Sequence, residues 1–187
     1  MAYLTKQELE ALGLASCGEN VSISDKASIY NPSKISLGNN VRIDDFCVLS
    51  AGEGGIFLGN YIHIAIYSSI IGAGKVTFSD FGGLSSRASI YSSNDDYSGE
   101  YLAGPTIPSK YLKIEHADVT IGKYVAIGSG SLILPGVTIE DGVVVTAHSV
   151  VNKDCAAFGI YSGNRRIRER SRRLVVLADQ IIQDSGK

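Results

Sequence analysis

The stretch from Val119 to Asn152 repeats every six residues. Ile121, Ile127, Ile133, Ile139, Val145 and Val151 are all branched aliphatics. Two residues before each stand Val119, Val125, Ser131, Val137, Val143 and Ser149, which are small or β-branched. Glycine recurs between them, at 122, 128, 130, 136 and 142. A helix repeats its apolar face about every 3.6 residues and a half-buried strand about every 2, so neither fits. Short strands joined by tight turns do fit. Each flat side sends an aliphatic inward, and each corner calls for small residues. Three such sides close one coil of about 18 residues, and stacked coils make a parallel β-helix.

Upstream the period is looser. Ile23 and Ile29 share one frame, and Asn31-Pro32 interrupts it. Leu37, Ile43 and Leu49 restart it, then Leu58, Ile64 and Ile70, then Phe78, Leu84 and Ile90. Leu58 and Phe78 are twenty apart, so these coils carry extra residues in one corner. Residues 92–118 then abandon the pattern altogether. A non-periodic excursion of this length in a regular solenoid points to function. Before the first coil, residues 1–20 hold a short helix: Thr5 caps it, Glu8 completes a capping box, and Leu4 and Leu9 occupy the staple positions. Such a helix closes the open end of a solenoid, whose bare strand edges would invite aggregation.

At the other end, residues 165–173 read RRIRERSRR and hold six of the seventeen basic residues. LVVLADQII follows with helical character. The expectation is a basic helical tail over residues 154–187, packed on the outside of the solenoid. The chain as a whole carries a net charge of −2, which gives a nucleic-acid role no global electrostatic support. Cys17, Cys47 and Cys155 are odd in number and scattered, so the expectation is three buried free thiols rather than a disulfide framework or a zinc site. The N-terminus has no basic region followed by an apolar run, and no stretch reaches the ~18 apolar residues of a membrane span. The reading is a cytoplasmic protein with no transmembrane segment.

These repeats, the excursion after an early set of coils, and the segment Val125-Ala126-Ile127-Gly128…Ile133-Leu134-Pro135-Gly136-Val137-Thr138-Ile139 resemble the hexapeptide acyltransferases. The likeness is to sugar O-acetyltransferases of the galactoside and maltose type, in particular those of lipopolysaccharide and capsule biosynthesis, and it covers about residues 21–173. The resemblance implies an all-β fold: a left-handed parallel β-helix over residues 21–153, with the loop 92–118. It also implies a homotrimer with acetyl-CoA in the groove between neighbouring solenoids. Ala126, Ser129, Ala147 and Lys153 are the implied cofactor contacts, and Lys153, Arg165 and Arg166 the cations for the CoA phosphates. The implied reaction is acetyl transfer to a hydroxyl of a sugar or glycan precursor, without a metal.

That reaction needs a base for the attacking group and donors for the developing oxyanion. Resembling enzymes place a histidine just after a coil, where this chain has Asn94 or Asp95. His63 is the expected base instead. It alternates with Ile62 and Ile64 and so points away from the interior, and Asp95 or Asp96 would fix its tautomer. His116 is a weaker candidate, and His148 sits at a corner where the resemblance places a residue lining the cofactor groove. Asn94 and Tyr97 are expected substrate contacts: the paired carboxylates Asp95-Asp96 would accept from sugar hydroxyls, and Tyr91 or Tyr97 would pack on a ring face. Three other functions stay open at this point. N-acetyl transfer to an amino sugar needs only a different acceptor. A non-catalytic sugar- or CoA-binding scaffold would explain the missing histidine. A γ-type carbonic anhydrase shares the solenoid but needs three zinc-binding histidines, and the spacing here fits poorly.

Overall fold

The computed structural model describes residues 2–185. Residue 1 and residues 186–187, at the outer ends of the first and last predicted segments, lie outside the described residues. The six-residue period becomes a left-handed parallel β-helix of triangular section. The first face stacks Ser16–Cys17, Ile35–Leu37, Ile56–Leu58, Val76–Phe78, Val119–Ile121 and Thr138–Ile139. The second stacks Ser22–Ile23, Arg42–Ile43, Ile62–Ile64, Gly82–Leu84, Ala126–Ile127 and Val144–Val145. The third stacks Ser28–Tyr30, Val48–Ala51, Ser69–Gly72, Ser89–Tyr91, Leu132–Ile133 and Val150–Val151.

Register explains why the period had to be six. Leu37 pairs with Leu58, Leu58 with Phe78, Phe78 with Ile121 and Ile121 with Ile139. Each inward aliphatic therefore sits on its counterpart in the next coil, and the columns fuse into one core. Ile121, Ile127, Ile133, Ile139, Val145 and Val151 are all fully buried. The small residues two positions earlier are buried as well, and the two serines among them are hydrogen-bonded: Ser131 Oγ donates to the Thr146 carbonyl, and Ser149 Oγ accepts from the Gly163 amide. A hydroxyl at these positions costs nothing only because it meets a backbone partner.

The ends are closed differently. At the N-terminus Lys6–Ala11 is a helix with the full capping box between Thr5 and Glu8. Leu4, Leu9, Leu12 and Leu14 lay apolar surface on the first coil. At the C-terminus residues 154–187 depart from the helical tail. Gly159–Ser162 and Arg165–Glu169 form an antiparallel hairpin that extends the second face. Helix begins only at Arg173 and runs to Ser185. The arginine-rich segment is a strand because Gly163-Asn164 makes a two-residue turn, with Gly163 at φ +58°, and the chain folds back on the sheet edge. The excursion, residues 92–118, stands outside the stack of coils. Ser93–Asp95 and Ile114–His116 form its antiparallel stem, and Ser93 Oγ accepts from the Ala73 amide while bonding His116 Nδ1 at 2.7 Å. No helix among the described residues is long and apolar enough to cross a membrane.

One cysteine departs from the expectation. Cys47 and Cys155 are buried, but Cys17 is exposed on the first coil. Burial pushes the Cys155 thiol up to about 11, which removes its thiolate at neutral pH. Alkylation of the native protein at mildly alkaline pH should therefore modify Cys17 alone, and mass spectrometry should find all three thiols modified only after unfolding.

Candidate active site

On the second face the outward column runs Arg42, His63, Gly83, Ala126 and Val144, each the register partner of the next. Side-chain size collapses in its middle. Gly83 contributes nothing and Ala126 one methyl, so the face is hollowed there. The preceding glycine has a different cause. A Cβ on Gly82 would point inward and lie 2.4 Å from the Phe78 ring, whose bulk fills the core at that level. The result is a groove of about 420 Å³ across two coils. His63 and Ala65 close one end, Phe81 and Tyr124 one side, and Ser85 and Ser129 the other.

The aromatic side is built by stacking. Tyr61 and Phe81 stack at 4.6 Å, and Phe81 and Tyr124 at 5.8 Å. Arg170 reaches the same side from beyond the C-terminal hairpin and donates to the Tyr124 and Gly142 carbonyls. Burial lowers its pKa, yet a guanidinium keeps its charge, so a fixed cation stands at the rim.

His63 is half exposed in this groove, and its partner is Asp44. Nε2 lies 2.8 Å from Asp44 Oδ2, while Arg42 Nε donates to Asp44 Oδ1 at 2.7 Å. Burial would raise the Asp44 carboxyl, but the hydrogen bonds from His63 and Arg42 outweigh it and hold the group below its ordinary value. The expected pairing of His63 with Asp95 or Asp96 does not form within one chain. Asp44 sits one coil earlier and diagonally across the same face, within reach of the ring. Asp95 leaves from the far edge of the third face, and the strand Ser89–Tyr91 lies between.

The predicted residues thus divide into groups. His63, Ala126 and Ser129 come together in the groove. Ala147 follows Ser129 one coil along the same corner, where the His148 amide donates to the Ser129 carbonyl. Lys153 lies in the turn after the third face, away from the groove. Arg165 and Arg166 lie on the hairpin, where Arg166 pairs with Glu169 at 2.7 Å and donates to the Ala157 carbonyl. Asn94, Asp95, Asp96 and Tyr97 belong to the excursion. Asp96 is a tie within it: the hydroxyl and amide of Ser98, and then Lys113, hold its carboxyl at about 2. Asp95 is half buried, and its carboxylate has no hydrogen-bond partner among the described residues. Sequence reasoning missed Asp44, Ser85, Phe81, Tyr124 and Arg170. Phe81 and Tyr124 could have been found by following the six-residue frame to its corners. Arg170 had no such signal, because the cluster around it is uniformly basic. Among the described residues no three His, Cys, Asp or Glu side chains converge as a metal-ligand set.

Residues 118–153 match the family described as bacterial transferase hexapeptide (six repeats). A dTDP-4-amino-4,6-dideoxy-D-glucose acyltransferase of Escherichia coli is 56% identical over 179 residues, 95% of this chain and 93% of the relative. The chain belongs to the hexapeptide-repeat family of sugar acyltransferases. The crystal structure of AntD, an N-acyltransferase from Bacillus cereus, in complex with dTDP and 3-hydroxybutyryl-CoA superposes with a TM-score of 0.93. It is 42% identical and covers 99% of this chain and 98% of its own. A serine-to-alanine form of AntD, bound to dTDP-4-amino-4,6-dideoxyglucose and CoA, superposes with the same TM-score at 42% identity, over 98% of each chain. Both AntD structures hold CoA or its acyl thioester.

Small residues in this groove leave room for a thin, extended ligand to approach the backbone. Ser129→Trp places an indole at its rim beside Ser85. Acyl-CoA binding measured by calorimetry should weaken at least about tenfold, or about 1.4 kcal/mol, with the melting temperature little changed. Unaltered affinity would place the cofactor elsewhere.

Proposed function

We propose that this acyltransferase moves an acetyl group from acetyl-CoA to the amino group of dTDP-4-amino-4,6-dideoxyglucose. The observation that carries this reading is the type of group at the base position. Resembling O-acetyltransferases use a histidine there, and this chain offers the unpartnered carboxylate of Asp95. An alcohol must lose a proton as it attacks, and a carboxylate is a poor base for that. An amine arrives as an ammonium ion. A carboxylate binds it through a charge-assisted hydrogen bond and is base enough to accept the one proton that hides its lone pair. The free amine then carries the lone pair that attacks the thioester. N-transfer, which the sequence left beside O-transfer, is therefore the better match. It also agrees with the acceptor in the name of the Escherichia coli relative and with the ligand bound to AntD.

We further propose that the working unit is a trimer. The groove holding His63 and the carboxylate of Asp95 sit on different faces of one prism. A neighbouring chain that presents its excursion to the groove would bring Asp95 to the acyl group, and the thioester would then be covered from solvent.

Mass spectrometry should show N-acetylated product from the amino-sugar nucleotide and none from the analogue with a 4-hydroxyl. Equal turnover of the two would overturn the amine reading. Asp95→Asn should lower kcat/KM by about 10²-fold. Refolding Asp95→Asn and His63→Gln chains together should restore about a quarter of wild-type activity, because a quarter of randomly mixed interfaces then carry both native groups. No recovery would place both groups in the same chain's site.

A further inference from the structure

We infer that Asp44 is a positioning residue: clamped by Arg42, it fixes His63 with the proton on Nε2, so that Nδ1 is the proton acceptor in the acyl-transfer groove. This rests on the amine-acceptor reading above and adds a second proton acceptor to it.

The tautomer follows from inventory. An ionised carboxylate has acceptors only. At 2.8 Å from Asp44 Oδ2, Nε2 of His63 must be the donor. Neutral imidazole then carries its lone pair on Nδ1, which has no hydrogen-bond partner among the described residues. Asp44 itself cannot swing away. Its other oxygen is held by Arg42 Nε at 2.7 Å, and only 8% of its side-chain surface is exposed, against 50% for His63. The acid is thus packed and the imidazole stands in the open groove, the division of labour expected of an orienting carboxylate and the base it serves. The other two histidines are engaged differently. His116 is bonded to Ser93 at the foot of the excursion, and the His148 ring lies over Gly130 on the outer corner.

The reaction has a place for this second acceptor. Acylation takes two protons from an ammonium nitrogen, one released to solvent and one delivered to the leaving thiolate. The first leaves when R–NH₃⁺ becomes R–NH₂, and Asp95 passes it to solvent. The second leaves the nitrogen as the C–N bond forms and the C–S bond breaks. His63 Nδ1 takes it and returns it to the departing thiolate, giving the amide and CoA–SH. The imidazolium formed in between is stabilised by the carboxylate already on its Nε2.

Two measurements on the whole chain test this. Proton–nitrogen correlation spectra of protein labelled with nitrogen-15 histidine report tautomers directly, and His63→Gln assigns the signal by removing it. Wild-type His63 should be protonated on Nε2 and bare on Nδ1, and Asp44→Asn should mix or reverse the two. A proton on Nδ1 in the wild type overturns the inference, and that observation needs no variant to fold. In steady-state kinetics with acetyl-CoA and the amino-sugar nucleotide, Asp44→Asn and His63→Gln should each lower kcat on the order of 10²–10⁴-fold with KM little changed. The double variant should be no worse than either, because the pair acts as a unit. Wild-type kcat in Asp44→Asn, or additive losses in the double variant, overturns the role in transfer. A wild-type protein that fails to acylate the amino sugar counts against the proposed substrate, while the spectra still judge Asp44.

Discussion

Every coil must turn three corners, and at two of them the turn is carried by single residues in the left-handed conformation. At the first corner these include Asn40, Tyr61, Phe81 and Tyr124, with φ between +57° and +63°. At the second they include Phe46, Tyr67, Arg87 and His148, with φ between +54° and +62°. A residue with a Cβ gives up about 1–2 kcal/mol in this conformation. Stacking between coils offsets much of it, since an aromatic pair contributes about 0.5–1.5 kcal/mol beyond its buried area. Tyr61, Phe81 and Tyr124 stack up one corner, and Phe46 and Tyr67 stack up the other with Lys26 and Arg87 over their rings. The strain is local to each coil and the relief is between coils, so each corner becomes a continuous ridge. Ridges on both sides of a face whose centre shrinks to Gly83 and Ala126 leave a groove without any dedicated loop to form it.

This geometry determines what a sequence reader could see. The inward columns repeat in the chain at a fixed interval, so the solenoid is legible from Ile121 and its five successors alone. His63 was legible as outward because Ile62 and Ile64 bracket it. Its partner was not. Asp44 is nineteen residues earlier, and its meeting with His63 depends on the length of the intervening coil. The early coils carry extra residues at the third corner, so the spacing that places Asp44 under the ring is not six or eighteen. Asp95 was legible as chemistry but not as position. It stands next to periodic sequence, yet a whole face separates it from the groove. The C-terminal hairpin was hidden for a different reason. Its strand is almost wholly charged, and only Gly163-Asn164 marks the reversal.

The excursion shows how a solenoid accepts a functional insertion. Val76–Phe78 still pairs directly with Val119–Ile121, although 43 residues separate Phe78 from Ile121. A closed loop of that size costs only slightly more than a short one, because closure entropy rises with the logarithm of length. The coil loses no hydrogen-bonded ladder, and the stem is anchored by groups at its foot: Ser92 Oγ donates to the Gly74 carbonyl, and Ser93 Oγ meets both the Ala73 amide and His116. Beyond the stem, the Lys113–Asp96 pair and the packing of Lys113 on Tyr101 hold the arm together. None of these residues contributes to the solenoid core.

A separation of this kind has a consequence for specificity. On the reading proposed here, the CoA side of the reaction rests on columns that stacking and register fix together. A change at Gly83 or Ala126 alters a surface shared by neighbouring coils, so that half of the chemistry is constrained by the fold. On the same reading, the acceptor side rests on a few side chains at the base of an arm that the core does not need. Exchanging a histidine for a carboxylate there leaves every buried aliphatic and every ladder hydrogen bond in place. On the reading proposed for Asp95, that one exchange is enough to turn a site suited to hydroxyls into one suited to amines. The difference lies in the proton each acceptor must lose and when it must lose it. A single solenoid can therefore serve both classes of acyl transfer, with its cofactor groove unchanged and its choice of acceptor written on the excursion.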